Sequence, residues 1–515
     1  MSITKIPMEI LDLVLSDLDL TSIKALRLTS RSFSTTCMTQ SFLDSLRQPE
    51  TDLSEASLVR LDALASNPVL RQHCHTLVIL APYHDSAALE KIIAKGRETG
   101  VTDIDGSLFV PWSRECSKEE LARAAREVAW LKGQHDAQQA RSAADAIRTL
   151  AAILRRFATL DTIRLDAALR QSNSFDLDSN NGSLLAMWAQ ASWAHDVTMA
   201  ALARSRVSVR KLDIYRTTTR CGIPCGDYGR HLAGWSAGDL SAVGGGLEAL
   251  SLSLSTDIDE GTVERFAFAG RTATHKTSVL DTWLSVQADY QNSSPQLPEI
   301  TRMLQNSPRL SRLDLRLYHL EYDDLERYDW IFDSIATHVR LPELQDCKLS
   351  GFMVTENSLS LFLKTHPRLR TLSLRGLYLT KGTWPPILAH LSSAMPDLDL
   401  LDLSSLWTRD PEPEPEQKAN TARASRKIHL LNLEPVWDTS RPVDWEDEPT
   451  SYRCVDNDFV VHSRVFEKPD LQQGLRFRQP ALTEPMWAAD AREWAERRHA
   501  EYGPPYEESS WSFVG

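Results

Sequence analysis

The sequence predicts an α/β chain: a small amino-terminal helical domain, then an array of repeats that each join a helix to a short strand of a parallel sheet. Three observations predict it. Between Ile6 and Leu26, apolar residues recur at intervals of three and four. A pattern Pro-x-Leu-x-x-(Leu/Cys)-x-Leu returns four times, from Pro308, Pro342, Pro367 and Pro396, at spacings of 34, 25 and 29 residues. Looser copies without the proline span 74–79, 160–165, 209–214, 247–252 and 428–433. Self-similarity at a period of about 20 to 50 residues marks an array in which each repeat buries its apolar face only against its neighbours.

The amino-terminal stretch Ile6–Phe33, IPMEILDLVLSDLDLTSIKALRLTSRSF, is apolar but not a secretory signal or a membrane span. Glu9, Asp12, Asp17 and Asp19 interrupt it, and a bilayer needs about 20 predominantly apolar residues. Ile6, Ile10, Leu11, Val14, Leu15 and Leu18 instead fall on one stripe of a helix, with Glu9, Asp12 and Asp17 on the other side. Pro7 suits the first turn, where its missing N–H costs nothing. Thr21 or Ser22 can cap a second helix carrying Ile23, Leu26 and Phe33, and a third apolar segment holds Phe42, Leu43 and Leu46. Three helices in about 45 residues cannot bury all of these side chains alone. The surplus implies a partner.

The order Ile6-Pro7, Glu9-Ile10, an apolar helix, Asp19-Leu20 and Leu26-Arg-Leu-Thr-Ser-Arg-Ser-Phe33 resembles an F-box, particularly the form found in fungal proteins. Ile6 stands for the family's first leucine and Thr29 for its valine, both close in size or shape. The resemblance covers about a tenth of the chain. It implies docking on the Skp-type adaptor, and through it on a cullin, with Ile6, Pro7, Ile10, Leu11, Leu15, Leu18 and Leu26 divided between the domain's own core and the adaptor. The bland alternative is a helical cap on the first layer of the array.

In each repeat, Leu-x-Leu alternation makes a strand with one buried face. A helical pattern precedes it, such as Leu359, Phe362 and Leu363, or Ile387, Leu388 and Leu391. The proline then ends the helix and turns the chain back toward the sheet. Stacked repeats of this kind resemble a leucine-rich repeat solenoid, here irregular: three residues past the last strand leucine, where the family places Asn or Cys, stand Phe352 and Leu377. Residues beside the strand leucines should line the inner face, and Asp314, Arg316, Lys348, Ser373, Arg375, Asp402 and Asn432 are the candidate substrate contacts. A solvated face would carry the same mixture of charge.

The expected domains are 2–48 (F-box-like), 70–435 (solenoid) and 436–515, a tryptophan-containing tail that caps the open end. Two helical insertions interrupt the solenoid, at 117–157, where Ser117 and Glu120 form a capping box, and at 183–206. Between them, SNSFDLDSNNGS reads as an exposed loop. The acidic proline-rich loop 408–426, with PEPEPE at 411–416, excludes helix and interior strand. It reads as a replaced helix, because the Ile428 copy follows on schedule.

Composition fits this picture. The 515 residues suffice for about three average domains, and 42% hydrophobic with 25% charged is ordinary for a globular chain. A formal charge of −13 argues against nucleic-acid binding through phosphate neutralisation. Seven scattered cysteines read as reduced thiols of cytoplasm or nucleus.

Several motifs mimic catalytic or metal sites. Gly234-Trp-Ser236-Ala-Gly238 matches a nucleophile elbow without the flanking strand and helix. Cys221, Cys225 and His231 lack a fourth zinc ligand. Cys74, between His73 and His75, reads as core. Asp176-x-Asp178-x-Asn180 starts like a calcium loop, but Met187 takes the place of the bidentate glutamate. Gly244–Gly246 lacks the Lys-Ser/Thr of a phosphate loop. No metal, cofactor, membrane or nucleic acid is expected. The expectation is a non-enzymatic substrate receptor of an SCF-type ubiquitin ligase that holds an unknown substrate protein; the alternatives are a repeat scaffold without a ligase role and, remotely, a hydrolase using Ser236.

Overall fold

The computed structural model describes residues 10, 14–15, 20–30, 33, 43, 46–104, 108–157, 159–170, 175–176, 184–256, 298–318, 328–404 and 406–409, with short stretches at 425–427, 429–431, 453–455, 458–461, 463–473, 475 and 477–478. The fold is α/β, a mostly parallel sheet with helices around it. Two compact units divide the chain: Met1–Leu177 with Trp193–Asp213, and Asp178–Ser192 with Ile214–Gly515.

In the first unit, α1 (Leu20–Thr29) belongs to the amino-terminal head. Strand β1 (Glu50–Thr51) runs parallel to β2 (Thr76–Tyr83), and β2 parallel to β5 (Thr162–Arg170), with β7 (Lys211–Ile214) next in order. The register pairs Leu77 with Ile163 and Ile79 with Leu165, the apolar pairs of two looser sequence copies. Helix α2 (Glu55–Ser66), capped by Ser54, buries Leu58, Leu61 and Ala65. Helix α3 (Ala87–Lys95) leads into an antiparallel hairpin of β3 (Arg97–Ile104) and β4 (Leu108–Glu115). The first insertion is two helices, α4 (Lys118–Gln139) and α5 (Ala143–Leu154), and the Ser117–Glu120 capping box closes in both directions. The second is α6 (Leu184–Ser205), which contributes to both units. Inside the expected loop between them, β6 (Phe175–Asp176) pairs back on β5, so part of that polar segment is a hairpin strand.

In the second unit, β8 (Ile223–Pro224), α7 (Cys225–Ala233) and α8 (Ala237–Gly244) precede β9 (Ala249–Ser255). Helix and strand then alternate: α9 (Pro298–Gln305), β10 (Arg312–Tyr318), α10 (Asp329–His338), β11 (Asp346–Ser350), α11 (Glu356–Thr365), β13 (Thr371–Arg375), α12 (Trp384–Ser393) and β15 (Leu400–Ser404). Strands β9, β10, β11, β13 and β15 are neighbours in that order, all parallel. Their register aligns Leu250, Leu313, Cys347, Leu372 and Leu401 in one row and Leu252, Leu315, Leu349, Leu374 and Leu403 in the next. Every one of these side chains is buried.

After the main strand the chain turns at Gly351 (φ 74°) and Gly376 (φ 58°), a left-handed conformation that costs glycine little. These glycines donate to Arg375 and Ser404 carbonyls in the next strand, at 2.9 and 2.8 Å. The turn feeds a second set of short strands, β12 (Met353–Thr355), β14 (Tyr378–Lys381) and β16 (Trp407–Arg409), which pair in parallel. Phe352, Leu377 and Leu406 lie between the two strand sets and are fully buried. An apolar ladder thus fills the place of a hydrogen-bonded asparagine row.

The array departs from the sequence expectation at its carboxyl end. The strand following β15 in the main sheet is β21 (Ser463–Glu467), antiparallel, with Phe466 buried. The Ile428 copy does not continue the parallel sheet: Ile428 itself lies outside the described residues, and β18 (His429–Leu431) joins a separate antiparallel sheet with β20 (Asp458–Val461) and β22 (Phe477–Arg478), where β19 (Arg453–Val455) flanks β20. A parallel step needs a crossover, usually a helix, and the alternating prolines at 411–416 deny one. Strand β17 (Ser425–Lys427) instead pairs antiparallel with β16. Helix α13 (Lys468–Gln473) follows β21, and Lys468 bonds Asp399 at 3.1 Å. The tail tryptophans at 437, 445, 487, 494 and 511 lie outside the described residues.

His366 joins neighbouring repeats. Its Nδ1–H donates to the Phe362 carbonyl (2.8 Å), and its Nε2 accepts from the Leu341 N–H (3.2 Å), which requires the neutral ring. Burial, with Arg340 nearby, holds its pKa below the ordinary histidine value. The unfolded chain therefore takes up the proton first, and stability falls as pH drops from about 6.5 through the folded pKa. His366→Gln should destabilise by less at about pH 5 than at about pH 7.5, read from thermal unfolding. Phe352→Ala should cost about 3–5 kcal/mol in urea unfolding, because the ladder cannot collapse onto the void.

Candidate functional site

Two surfaces carry the sequence-predicted residues. On the head, Leu15, Ile23, Phe33 and Leu46 form a small core, joined by half-buried Leu26 and Leu43 and by Leu64 and Leu70 of the following segment. Leu15 is 1% exposed, whereas Ile10 is 51%, Val14 47% and Leu28 89% exposed. The apolar stripe is thus divided: Leu15 turns into the core and Ile10 into solvent. Ile6, Pro7, Leu11 and Leu18 lie outside the described residues.

The second surface is the sheet face opposite the leucine rows. The register sets Ser251, Asp314, Lys348, Ser373 and Asp402 side by side, and Ser253, Arg316, Ser350, Arg375 and Ser404 in the next row. Asp314 is buried and bonded by Arg316 (Nε to Oδ1, 3.2 Å) and by Arg216 (Nε to Oδ2, 3.3 Å). Burial opposes the Arg316 charge, but Asp314 outweighs it and holds the guanidinium pKa above its ordinary value. Across strands, Asp402 Oδ2 accepts from Arg375 Nη2 (2.7 Å), Arg375 Nε (2.9 Å) and Ser373 Oγ (2.9 Å). Its Oδ1 is buried without a protein partner.

Much of the face is therefore neutralised internally. What remains for a partner is the Arg375 side chain, 56% exposed, and half-buried Lys348, which has no ion pair among the described residues. Asn432 lies outside the described residues. Arg216 was not legible as a member, since it stands about a hundred residues before its partner, outside the Leu-x-Leu pattern.

The catalytic and metal mimics resolve into structure. Ser236 caps α8, its hydroxyl donating to Asp239 (2.7 Å) and accepting from the Asp239 N–H (3.2 Å). Cys74, Cys221 and Cys225 are buried and in no disulfide, and burial pushes the Cys74 thiol up to about 11. Among the described residues, no three His, Cys, Asp or Glu side chains gather as metal ligands. Ser192 approaches both Asp227 (2.5 Å) and His231 (3.4 Å), but its proton is donated to the carboxylate. The imidazole has no hydroxyl proton to take, so this is no nucleophilic triad. A cavity of about 480 Å³ near the start of α11 is lined by Asp333, Thr355, Glu356, Asn357 and Lys381, more polar than the apolar clefts that hold small molecules. Among the described residues no helix is long and apolar enough to cross a membrane.

No family model matches the chain, and no curated protein matches it.

Asp402→Ala should cost about 1–3 kcal/mol in urea unfolding, because it leaves the buried Ser373 hydroxyl unpaired. Lys348→Ala should fall within about 0.5 kcal/mol of wild type.

Proposed function

We propose that the chain is the substrate-recognition subunit of an SCF-type ubiquitin ligase, with an F-box-like head that docks on the Skp-type adaptor and a leucine-rich-repeat-like solenoid that binds the substrate protein. The observation that carries the reading is the exposure of Ile10, Val14 and Leu28 on a head whose small core is already occupied by Leu15, Ile23, Phe33 and Leu46. Apolar side chains left outside a filled core gain from burial against a partner, about 1.5–3 kcal/mol each when fully covered. The order of residues from Ile6 to Phe33 is the second support.

The protein would perform no bond chemistry. Its contribution is to hold the substrate near the ligase-bound conjugating enzyme, so that transfer is accelerated by proximity. The repeats supply a rigid platform, and Lys348 with the exposed end of Arg375 offers hydrogen-bond donors to a substrate. Cytoplasm or nucleus is the setting this role requires.

A second reading, a repeat scaffold with a helical cap and no ligase role, draws on the packing of Leu64 and Leu70 against the head core. Co-purification of the full chain with the adaptor and cullin separates the two. The paired substitution Ile10→Asp and Val14→Asp should weaken adaptor binding by roughly 100-fold or more while circular dichroism stays unchanged. Leu15→Asp should instead unfold the head, because it places a charge in the core. A wild-type chain that binds no adaptor would leave only the scaffold reading.

A further inference from the structure

The charged sheet face of the second unit carries its acids and its cations at different depths. Asp314 and Asp402 are 7% and 9% exposed. The arginines bonded to them stand above, with side chains 29% exposed for Arg316, 40% for Arg216 and 56% for Arg375. Arg316 Nη1 also donates to the Arg216 carbonyl at 3.0 Å, which holds two guanidiniums on the one Asp314 carboxylate. Both bonds from Arg375 to Asp402 use Nε and Nη2, so its Nη1 group faces outward without a bond among the described residues. Lys348, between Asp314 and Ser373 in its row, makes no ion pair among the described residues.

The surplus of positive charge lies toward the carboxyl ends of the strands. There Arg216, Arg316, Lys348 and Arg375 meet only Asp314 and Asp402 on β9, β10, β11, β13 and β15, and both acids are buried beneath them. At the amino ends the charges are matched: Arg312 stands opposite Asp346, and Glu467 lies farther along the same row, past Thr371 and Leu400.

The face also ends in an apolar step. Leu400 is 36% and Val465 53% exposed, and they alternate with the buried Leu401 and Phe466, so both stand on the charged side. The register sets Leu400 opposite Glu467 and Val465 opposite Asp402, which makes Leu400 and Val465 diagonal neighbours. Val465 shares its row with Lys348, three strands away. With about 4.8 Å between strands and about 3.3 Å per extended residue, about four residues of an extended chain reach from one to the other, passing Arg375 on the way.

We propose that this face binds an extended acidic segment of a partner protein laid across the strands, with carboxylates on Lys348 and Arg375 and an apolar side chain on Leu400 and Val465. Arg216 and Arg316 add positive potential behind the contact, and complementary potential selects the partner. The free edge of the Arg375 guanidinium suits a carboxylate. The inference deepens the substrate-receptor reading and rests on it only in calling the partner a substrate.

The test is fluorescence anisotropy of the full-length chain with a fluorescein-labelled peptide that carries a run of glutamates and one leucine about four residues after them, beside the same peptide with glutamine for glutamate. Wild type should bind the glutamate peptide saturably, and more weakly as salt is raised. Lys348→Gln should bind it about tenfold more weakly, about one charge-assisted hydrogen bond, and Val465→Ser about fivefold more weakly, each with unchanged circular dichroism. The proposal is overturned if the glutamine peptide binds as tightly, if binding is undiminished in Lys348→Gln, or if the glutamate peptide does not saturate. Should Lys348→Gln not fold, undiminished binding by Val465→Ser overturns it equally. Adaptor co-purification reports on the ligase reading separately. Peptide binding by a chain that binds no adaptor upholds the site on a scaffold, whereas adaptor binding without peptide binding overturns the site alone.

Discussion

The second unit depends on one constraint, the register shared by β9, β10, β11, β13 and β15. Because side chains alternate across a strand, a slip of one residue would send every leucine of that strand to the opposite face and bring its charges inward. The aligned register instead builds two continuous apolar rows, and the helices cover them. It also brings Gly351 and Gly376 to equivalent places, so that successive chains leave the main sheet at the same point and pair again as the second strand set. The ladder of Phe352, Leu377 and Leu406 fills the angle between the two sets.

The same register governs electrostatics. Asp314 and Asp402 are carried into the sheet face by neighbours chosen for their leucines, and each recruits arginine from its own or an adjacent strand. A buried carboxylate is tolerable only when paired and hydrogen-bonded. Arg316 and Arg375 supply that pairing from the same or the adjacent strand and Arg216 from about a hundred residues away, while Asp402 Oδ1 keeps no protein partner; Lys348 and Arg375 are the accessible cations. The chain as a whole carries a formal charge of −13. Net charge says little about a site whose members are gathered from distant segments.

That contrast also marks how far the sequence can be read. Leu-x-Leu alternation identified β2, β5, β7, β9, β10, β11, β13 and β15, because each strand's buried face is written in adjacent residues. The helices with Leu359, Phe362 and Leu363, and with Ile387, Leu388 and Leu391, were legible for the same reason, as was the Ser117–Glu120 box. What escaped depends on contacts between remote segments. Arg216 on Asp314 and Asp52 on Arg170 have no local signature; the short hairpin of Phe175 and Asp176 on β5 escaped because it is written in polar residues that read as loop. The stripe of the head gave a helix face, but helical spacing does not tell which edge a neighbour covers, and so Leu15 and Ile10 were indistinguishable. The copy at Ile428 misled because a strand-like pattern does not name the sheet it joins, and the prolines before it removed the crossover that would have carried it on.

The reversed strand β21 acts on the array as a stop signal acts on a growing polymer. Its main-chain pairing covers β15 from Leu400 to Ser404 and leaves that strand with no open parallel edge. Phe466, buried Leu471 of α13 and the link from Lys468 to Asp399 add side-chain ties to the last repeat. Termination is thus supplied by a strand that returns about 60 residues after the last repeat strand and runs against it.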